Sequence, residues 1–411
     1  MDTPTISTEK IPDHVPEELI WDHSLNDFTN ELDDPFIAAG RLQDGPGIIW
    51  VTDATLGKPA WVVTQNDIMR DAFMDHQHFT STRDSSKGDV LGADMIRMIP
   101  VEVDPPEHGN YRRILNPYFT PKHVTHYAEM VQRTCDELMN KIPDPSRCEF
   151  ISDFAEIFPN SIFLSLMGMP QDKLPQFLAW ERQLLRAGNE SNYEASREAA
   201  KMIFSYLHGF IEEQRQSPDK TEFIDAILSA EIDGKPLSNF DILGTVMLFY
   251  VAGLDTVYST LGWVMRHLAK DQELQDYLRN NPEYISKAVE EFTRAYAVAA
   301  PHRRVTEDFE FHGVQMRKGD LILLPTYLAA RDPRAFPNPH QIDLNRASRP
   351  VTFGSGPHTC LGIHLAKREI KIVLESFLSR FKSIRMPEGD DYEYHTGGVL
   401  GVDRLPLILE K

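Results

Sequence analysis

The sequence predicts a mainly α-helical fold with a minor β region, built as a single large domain over residues 16–411. Helical patterns dominate from Pro105 to about Pro387, and short β-rich pieces lie in the first 100 residues, at 318–325 and between residues 393 and 409. No repeat, low-complexity stretch or long Gly/Ser linker divides the 411 residues. Residues 1–15 are predicted to form a flexible amino-terminal tail.

The composition limits which partners and which cellular location we expect. The formal net charge of −20 argues against nucleic acid and anionic membranes as general partners, because both repel an acidic surface. The amino terminus lacks the basic and apolar regions of a signal peptide. The longest apolar runs, which end at Asp255, are too short to cross a bilayer. We therefore expect a cytoplasmic monomer with no membrane and no nucleic-acid partner.

The elements are predicted in order along the chain. Two β-rich pieces, 48–52 and 60–64, are separated by Gly and Pro and indicate a small sheet. Ser238 can cap a helix whose third residue is Asp241. The remaining predictions are a strand at 318–325, a helix after Cys360 to about Phe381, and paired strands between residues 393 and 409.

The segment 239–270 is predicted to form one long helix. About 30 residues at 1.5 Å each give a length of about 45 Å, enough to cross the molecule. It is apolar on nearly every face, as a buried helix must be, yet Asp255 and Thr256 lie in its middle. Burying such polar groups unsatisfied costs roughly 1–3 kcal/mol or more. Either the pair has a chemical role, or the helix is kinked where Thr256 bonds to the carbonyl four residues earlier.

The most specific motif is F-G-S-G-P-H-T-C-L-G at residues 353–362. Its two glycines allow positive φ and a close approach of the backbone to a flat ligand. Cys360 lies at the mouth of the predicted helix, where the helix dipole and unpaired N–H groups favour a thiolate. Three interpretations are a buried inert thiol, a zinc site with His358 and His364, and an axial ligand of haem iron. Zinc usually takes four ligands, whereas haem needs one axial thiolate, so haem fits best.

This motif resembles the haem-binding signature of the cytochrome P-450 family, F-G-x-G-x-H-x-C-x-G. Residues 252–256 resemble the oxygen-activating central helix of that family. Glu291 and Arg294 match its E-x-x-R helix, and Arg346, at the end of a matching meander, would join them. The resemblance is greatest to the bacterial camphor hydroxylase group. It implies the P-450 fold with a long central helix over the haem, haem b as cofactor, and monooxygenase activity.

The resemblance, which spans roughly residues 35–410, also assigns roles to single positions. Cys360 would be the axial iron ligand, and Phe353 would shield its sulfur. Thr256 would hydrogen-bond the bound dioxygen, and Asp255 would relay protons from solvent. Glu291, Arg294 and Arg346 would maintain the fold. Four basic side chains would hold the haem propionates, namely His108, Arg112, Arg303 and His358.

The predicted substrate contacts are mostly apolar. Counting back from Ile99, Ile96 occupies the position at which the camphor enzyme carries its ketone-binding tyrosine. Camphor is therefore not the expected substrate, and we predict a terpenoid or norisoprenoid held by shape. The full predicted set is Met95, Ile96, Met98, Val101, Leu248, Ala252, Val298, Ala299, Gly398 and Val399.

The source of electrons must lie outside the chain, which lacks a dinucleotide-binding glycine motif and clustered cysteines. The resemblance implies a two-iron ferredoxin with its reductase, docked on a basic patch of Arg112, Arg113, Lys367 and Arg368. Two other functions compete with an O2-dependent monooxygenase. A haem sensor or carrier would have no use for Asp255 and Thr256, and a peroxide-driven peroxygenase should lack the Thr256 hydroxyl.

Overall fold

The computed structural model describes residues 11–26, 34–55, 57–82, 97–189, 193–347, 349–389 and 391–411. Helices dominate these residues and confirm the predicted fold class. They are α1 Pro35–Gly40, α2 Asn66–Met74, α3 His108–Leu115, α4 Pro121–Lys141, α5 Ile157–Met167, α6 Leu174–Asn189, α7 Tyr193–Gln216, α8 Glu222–Leu228, α9 Asn239–Leu254, α10 Thr256–Lys270, α11 Gln272–Asn280, α12 Ile285–Ala295, α13 Thr326–Ala329 and α14 Ile363–Arg380.

The strands are short and lie mostly towards the two ends of the chain. They are β1 Ile20–Ser24, β2 Ile48–Thr55, β3 Lys58–Val63, β4 Phe79–Thr80, β5 Cys148–Glu149, β6 Glu231–Ile232, β7 Lys235–Pro236, β8 His302–Val305, β9 Phe309–Phe311, β10 Val314–Met316, β11 Leu321–Leu323, β12 Ser383–Arg385, β13 Glu393–His395, β14 Gly401–Arg404 and β15 Pro406–Glu410. The predicted strand at 48–52 lies within β2, and the one at 60–64 overlaps β3 up to Val63; β2 and β3 pair antiparallel.

The largest sheet has the strand order β1-β2-β3-β11-β8-β4. Its inward side chains include Trp50 and Trp61, which face each other across β2 and β3. The main core lies between α4, α10, α12 and α14 and contains Cys135 and Cys148, both buried. Burial raises the pKa of Cys135 to about 12, so this thiol stays protonated. A second core fills the space between α5, α6, α7, α8 and α9.

The central segment is helical from Asn239 to Lys270 but is interrupted at Asp255, which separates α9 from α10. Ser238 caps α9 by accepting from the Asp241 backbone N–H at 3.1 Å, as predicted. Thr256 Oγ1 donates to the Ala252 carbonyl at 3.4 Å. The prediction of one unbroken helix is therefore corrected: the kink alternative describes the backbone, because the hydroxyl competes for a helical carbonyl at this turn.

The same segment bears on the membrane expectation. Within the described residues, Asn239–Lys270 is long and apolar enough to cross a bilayer, contrary to the prediction that the apolar runs are too short. Of its most apolar window, 47% is buried inside the fold. Core helices of globular proteins share this length and composition, so the segment is weak evidence for a membrane span.

The end of the predicted tail is packed. His14 Nε2 lies 2.8 Å from Asp320 Oδ2, which also accepts from Trp61 Nε1 at 2.9 Å. Val15 is buried in the core beneath the large sheet. The packed part of the chain thus begins before residue 16, because buried polar and apolar contacts hold the backbone from residue 12 onward.

Candidate active site

The loop that carries Cys360 is closed by its own backbone. Gly354 and Gly356 both have φ of +72°, the conformation that the sequence predicted for these glycines. A Cβ on Gly356 would lie 2.9 Å from Met74 Sδ and 3.1 Å from the Phe73 carbonyl oxygen. The Cys360 N–H donates to the Phe353 carbonyl at 2.8 Å. The glycines therefore allow the loop to pack against α2 while presenting the cysteine.

The Cys360 side chain has accessible surface, but protein atoms surround it. This surface therefore faces an interior space rather than bulk solvent. Burial raises the pKa of Cys360, and the backbone N–H groups of Gly362 and Ile363 and the nearby Arg112 act against that increase. The backbone N–H groups at the start of the helix therefore act in the predicted direction, although burial outweighs them. A bound cation would be needed to complete the deprotonation.

The four basic residues predicted to hold the propionates are not all engaged in the same way. Arg112 Nη1 donates to the Thr359 carbonyl at 2.8 Å, next to the cysteine. The rings of His108 and His358 lie 4.3 Å apart between centroids. Arg303 is 8% exposed, and its Nη1 donates to the His302 carbonyl at 2.7 Å. Arg112 and the two histidines therefore form a cluster beside the Cys360 loop. Arg303 belongs to this cluster because its charge acts on His358.

This cluster has an excess of positive potential. Burial, Arg303 and His108 lower the pKa of His358 to about 3, and burial and Arg112 lower the pKa of His108 to about 4. Asp104 is the carboxylate that acts on this cluster, and it also accepts from the Ser81 backbone N–H at 2.9 Å. Nε2 of His108 is buried and has no hydrogen-bond partner among the described residues. These features fit a buried dianionic group such as the haem propionates.

Asp255 and Thr256 lie at the junction of α9 and α10. Asp255 is 7% exposed and accepts a hydrogen bond from Ser259 Oγ at 3.0 Å. The Tyr258 hydroxyl also interacts with Asp255, and burial together with that carboxylate raises the pKa of Tyr258. Thr256 is half-buried and bonds back to Ala252, which is exposed on the otherwise apolar α9. The carboxylate is thus held by hydroxyl donors one helical turn from an open face.

Glu291, Arg294 and Arg346 form a buried ion-pair network. Arg294 is 0% exposed and donates to both carboxylate oxygens of Glu291, at 2.7 and 2.8 Å. Arg346 Nε donates to the same carboxylate at 2.9 Å. Arg294 also donates to the carbonyls of Ala330 and Pro339. Both side chains are buried, and the network ties α12 to the segment 330–346.

Most of the predicted substrate residues belong to the part of the chain that the structure describes. Ala299 pairs with Val399, and the Leu400 N–H donates to the Val298 carbonyl at 2.9 Å, so the segments around residues 299 and 399 are adjacent. Val298 itself is 5% exposed and packs in the main core. Met95 and Ile96 lie outside the described residues. The predicted residues with accessible surface are Met98, Val101, Leu248, Ala252, Ala299, Gly398 and Val399.

The predicted basic docking patch is only partly present. Arg112 turns inward to the Thr359 carbonyl, and Lys367 Nζ pairs with Glu290 at 2.6 Å while lying 5.4 Å from the centre of the Phe353 ring. Arg113 remains exposed.

The sequence analysis did not identify Ser259, which donates to Asp255. Its position four residues after Asp255 could have indicated this hydrogen bond.

The sequence matches the cytochrome P-450 family over residues 47–404. The chain belongs to this family. It is 36% identical over 98% of its length to a probable cytochrome P-450 127A1 of Sinorhizobium fredii, of which 97% is covered. It also resembles the crystal structures of CYP101J2 and CYP101C1, each with a TM-score of 0.86 over 98% of this chain and 100% of theirs, at 28% and 29% identity.

Family membership fixes the cofactor and the class of reaction. Cytochromes P-450 are haem-thiolate monooxygenases, so the protein is an oxidoreductase that uses protoporphyrin IX haem iron. The two neighbours of known structure belong to the camphor-type group, as the sequence resemblance indicated. In the described part of the chain, no group of three or more His, Cys, Asp or Glu side chains could hold a metal ion by itself, which leaves no support for the zinc interpretation.

Proposed function

We propose that this protein hydroxylates a small apolar molecule, a terpenoid or norisoprenoid, using O2 and two electrons from a two-iron ferredoxin and its reductase. The observation that carries the proposal is the open face of α9. Leu248 and Ala252 lie four residues apart, hence on the same helical face, and both have accessible surface. That face leads directly to Thr256.

The named contacts favour recognition by shape. Ala299, Gly398 and Val399 are small or apolar, and the pairing of their two segments places them on one rim. No charged side chain occurs among the predicted contacts. Apolar burial at about 25 cal/mol per Å² would then supply most of the affinity, with no ion pair to select a charged ligand.

Each functional residue has a task that its contacts support. We assign the axial thiolate to Cys360, because the Gly362 and Ile363 N–H groups and Arg112 stabilise negative charge at its sulfur. His108, Arg112, Arg303 and His358 would bind the propionates. When bound, thiolate-ligated haem iron supplies the cleavage of the O–O bond.

Side chains of this protein would supply the protons for the reaction. Thr256 Oγ1 can hold a hydrogen bond at the reacting oxygen, since its present acceptor is a helical carbonyl 3.4 Å away that a better acceptor can replace. Asp255 can pass a proton to this point, because its partners Ser259 and Tyr258 are hydroxyl groups that carry exchangeable protons. The long apolar α9 would keep other water out.

The electron donor is proposed from what the chain lacks and from its charge. The sequence has no second redox motif, and exposed Arg113 lies on α3 close to the cysteine loop. We propose that an acidic two-iron ferredoxin docks there and that the protein works as a cytoplasmic monomer.

Spin-state titration of the purified haem protein tests the substrate class. Monoterpenes and norisoprenoids should shift the spin state at low concentration, whereas charged compounds should not. Ala252→Phe should weaken that response at least about tenfold by filling the open face, and the matched variant Ala347→Phe, at an exposed loop position, should leave it unchanged. A panel in which only polar or charged compounds shift the spin state contradicts the proposal.

A further inference from the structure

The hairpin β13–β14 approaches α10 unusually closely at Gly401. A Cβ on Gly401 would lie 2.6 Å from Ser259 Oγ and 2.7 Å from His395 Nε2. The hydroxyl and the imidazole therefore share the small space that a side chain would fill. Their separation cannot exceed the sum of those two distances, which is within reach of one bridging water.

This approach is fixed by the packing around it. His395 and Gly401 are cross-strand partners in β13 and β14. Trp263 Nε1, on α10, donates to the Leu400 carbonyl at 2.9 Å. One turn from Ser259, a Cβ on Gly262 would lie 2.9 Å from Val402 Cβ. Leu400 and Val402, the neighbours of Gly401 in the hairpin, therefore both pack against α10.

The two ends of this arrangement differ in environment. At the inner end, Ser259 is 0% exposed and donates to Asp255 Oδ1 at 3.0 Å. At the outer end, His395 Nδ1 lies 2.9 Å from Asp403 Oδ1, and the two side chains are 20% and 22% exposed. The exchangeable protons of His395 and Ser259 therefore lie between the surface of the hairpin and the buried carboxylate.

We infer that Asp403, His395 and Ser259 form a proton inlet that recharges Asp255 during turnover. This inference rests on the proposed role of Asp255 as a proton donor. His395 and Ser259 are positioning and transfer residues, since they act on the reaction through Asp255.

The transfer conserves protons and charge. The imidazolium of His395 gives its Nε2 proton to Ser259 Oγ, directly or through one water, while Ser259 passes its own hydroxyl proton to the Asp255 carboxylate. The Asp403 carboxylate holds the Nδ1–H throughout, and neutral His395 takes its replacement proton from solvent. One proton moves inward for each cycle of the inlet, and the electrons come separately from the ferredoxin.

Other groups near the inlet do not replace it. Titratable neighbours include Asp403 on β14 and, beyond Ser259, Asp255 at the start of α10 and Tyr258 on α10, on which Glu181 and Glu156 also act. Burial and the Asp255 carboxylate raise the pKa of Tyr258, so this phenol is a poor acid. Histidine is the side chain whose ordinary charge change falls between pH 5 and 8, which suits a repeated proton donor.

The kinetic test compares His395→Gln and Ser259→Ala with His312→Gln in the haem-loaded protein. His312 pairs with Asp71 at 2.9 Å on an exposed surface and serves as the matched control. We expect His395→Gln and Ser259→Ala to slow turnover roughly tenfold and to enlarge the solvent isotope effect, with substrate-induced spin shift unchanged. His312→Gln should stay within about twofold of wild type.

A second readout does not depend on activity. In the reduced, carbon-monoxide-bound protein, NMR titration of the His395 ring should show its midpoint fall by roughly 0.3 pH unit or more in Asp255→Asn, because a nearby negative charge is removed. The His312 midpoint should not move.

The outcomes separate the inlet from the proposed function. Wild-type rates and isotope effects in both His395→Gln and Ser259→Ala, or a His395 midpoint that ignores Asp255→Asn, would overturn the inlet. If Ser259→Ala does not fold, Asp403→Asn on the partly exposed hairpin replaces it, with a slower rate expected. A wild-type protein that shows no spin shift and no product with any apolar compound would contradict the proposed function instead.

Discussion

Two buried carboxylates of this cytochrome P-450 are held in opposite ways. Glu291 is 4% exposed and receives two hydrogen bonds from Arg294, one from Arg346 and one from the Asp343 backbone N–H. Asp255 is 7% exposed and is held by the hydroxyls of Ser259 and Tyr258. Glu291 lies on α12 and Asp255 at the junction of α9 and α10, and their burial is similar.

The difference lies in what the partners can exchange. Guanidinium groups keep their protons at any physiological pH, so the Glu291 network can only hold its geometry. Hydroxyl groups donate and accept, so the Asp255 cluster can move a proton without rearranging the backbone. Full charge compensation therefore indicates a structural carboxylate, and compensation by hydroxyls indicates one available for chemistry.

Breaking the structural network should have the largest effect on stability. Arg294→Ala leaves Glu291 with a buried charge and should lower the free energy of unfolding by about 3–5 kcal/mol, with loss of bound haem. The control Lys371→Ala removes a partly exposed pair with Glu375 at 3.7 Å and should cost no more than about 1 kcal/mol. Urea unfolding measures both, and equal costs would refute the structural assignment.

Neutralising the second carboxylate should affect rate rather than stability. Asp255→Asn should lower turnover about a hundredfold, the lower range for losing a positioned acid, with the free energy of unfolding changed by no more than about 1 kcal/mol. Asp276→Asn, at an exposed position on α11, is the control for turnover. Single-turnover kinetics decides the matter, and an unchanged rate in Asp255→Asn removes Asp255 from the mechanism.

Thr256 offers a sharper, smaller test of the same cluster. Thr256→Ala removes the hydroxyl that would hold the reacting oxygen, so product formed per electron pair should fall roughly tenfold while peroxide release rises. Thr256→Ser should stay within about twofold, because it keeps the hydroxyl. The neighbouring Thr260→Ala, which loses only a bond to the Thr256 carbonyl, is the control. Coupling that Thr256→Ala leaves intact would oppose the assignment.

The histidine cluster predicts the smallest effect, in the haem-free protein. The pKa of His108 is lowered to about 4 and that of His358 to about 3. Between those values and the ordinary 6.5, the unfolded chain binds more protons than the folded chain, so stability falls as pH falls through this window. Each histidine should account for on the order of 1 kcal/mol after allowance for solvent screening. His358→Gln should flatten the pH dependence of unfolding, and an unchanged slope would speak against burial of a neutral imidazole.

The sequence predicted the features that depend on local chemistry. The Ser238 cap and the positive-φ glycines 354 and 356 follow from short-range spacing, and the grouping of Glu291 with Arg294 follows from the family resemblance. The inward turn of Arg112 and the approach of His395 and Ser259 to Gly401 do not, because tertiary packing decides where a side chain points. The sequence indicates the kink at Asp255 only as an alternative. The Thr256 hydroxyl can donate to the Ala252 carbonyl, four residues earlier, or to another acceptor, and the sequence does not decide between them.

We propose that the Cys360 sulfur ligates the haem iron as a thiolate. The carbon-monoxide difference spectrum of the reduced protein measures this ligand directly. The wild type and the buried-cysteine control Cys148→Ser should show the red-shifted band of thiolate-ligated haem, and Cys360→Ser should lose it together with turnover. A Cys360→Ser protein with the wild-type spectrum and activity would contradict the account.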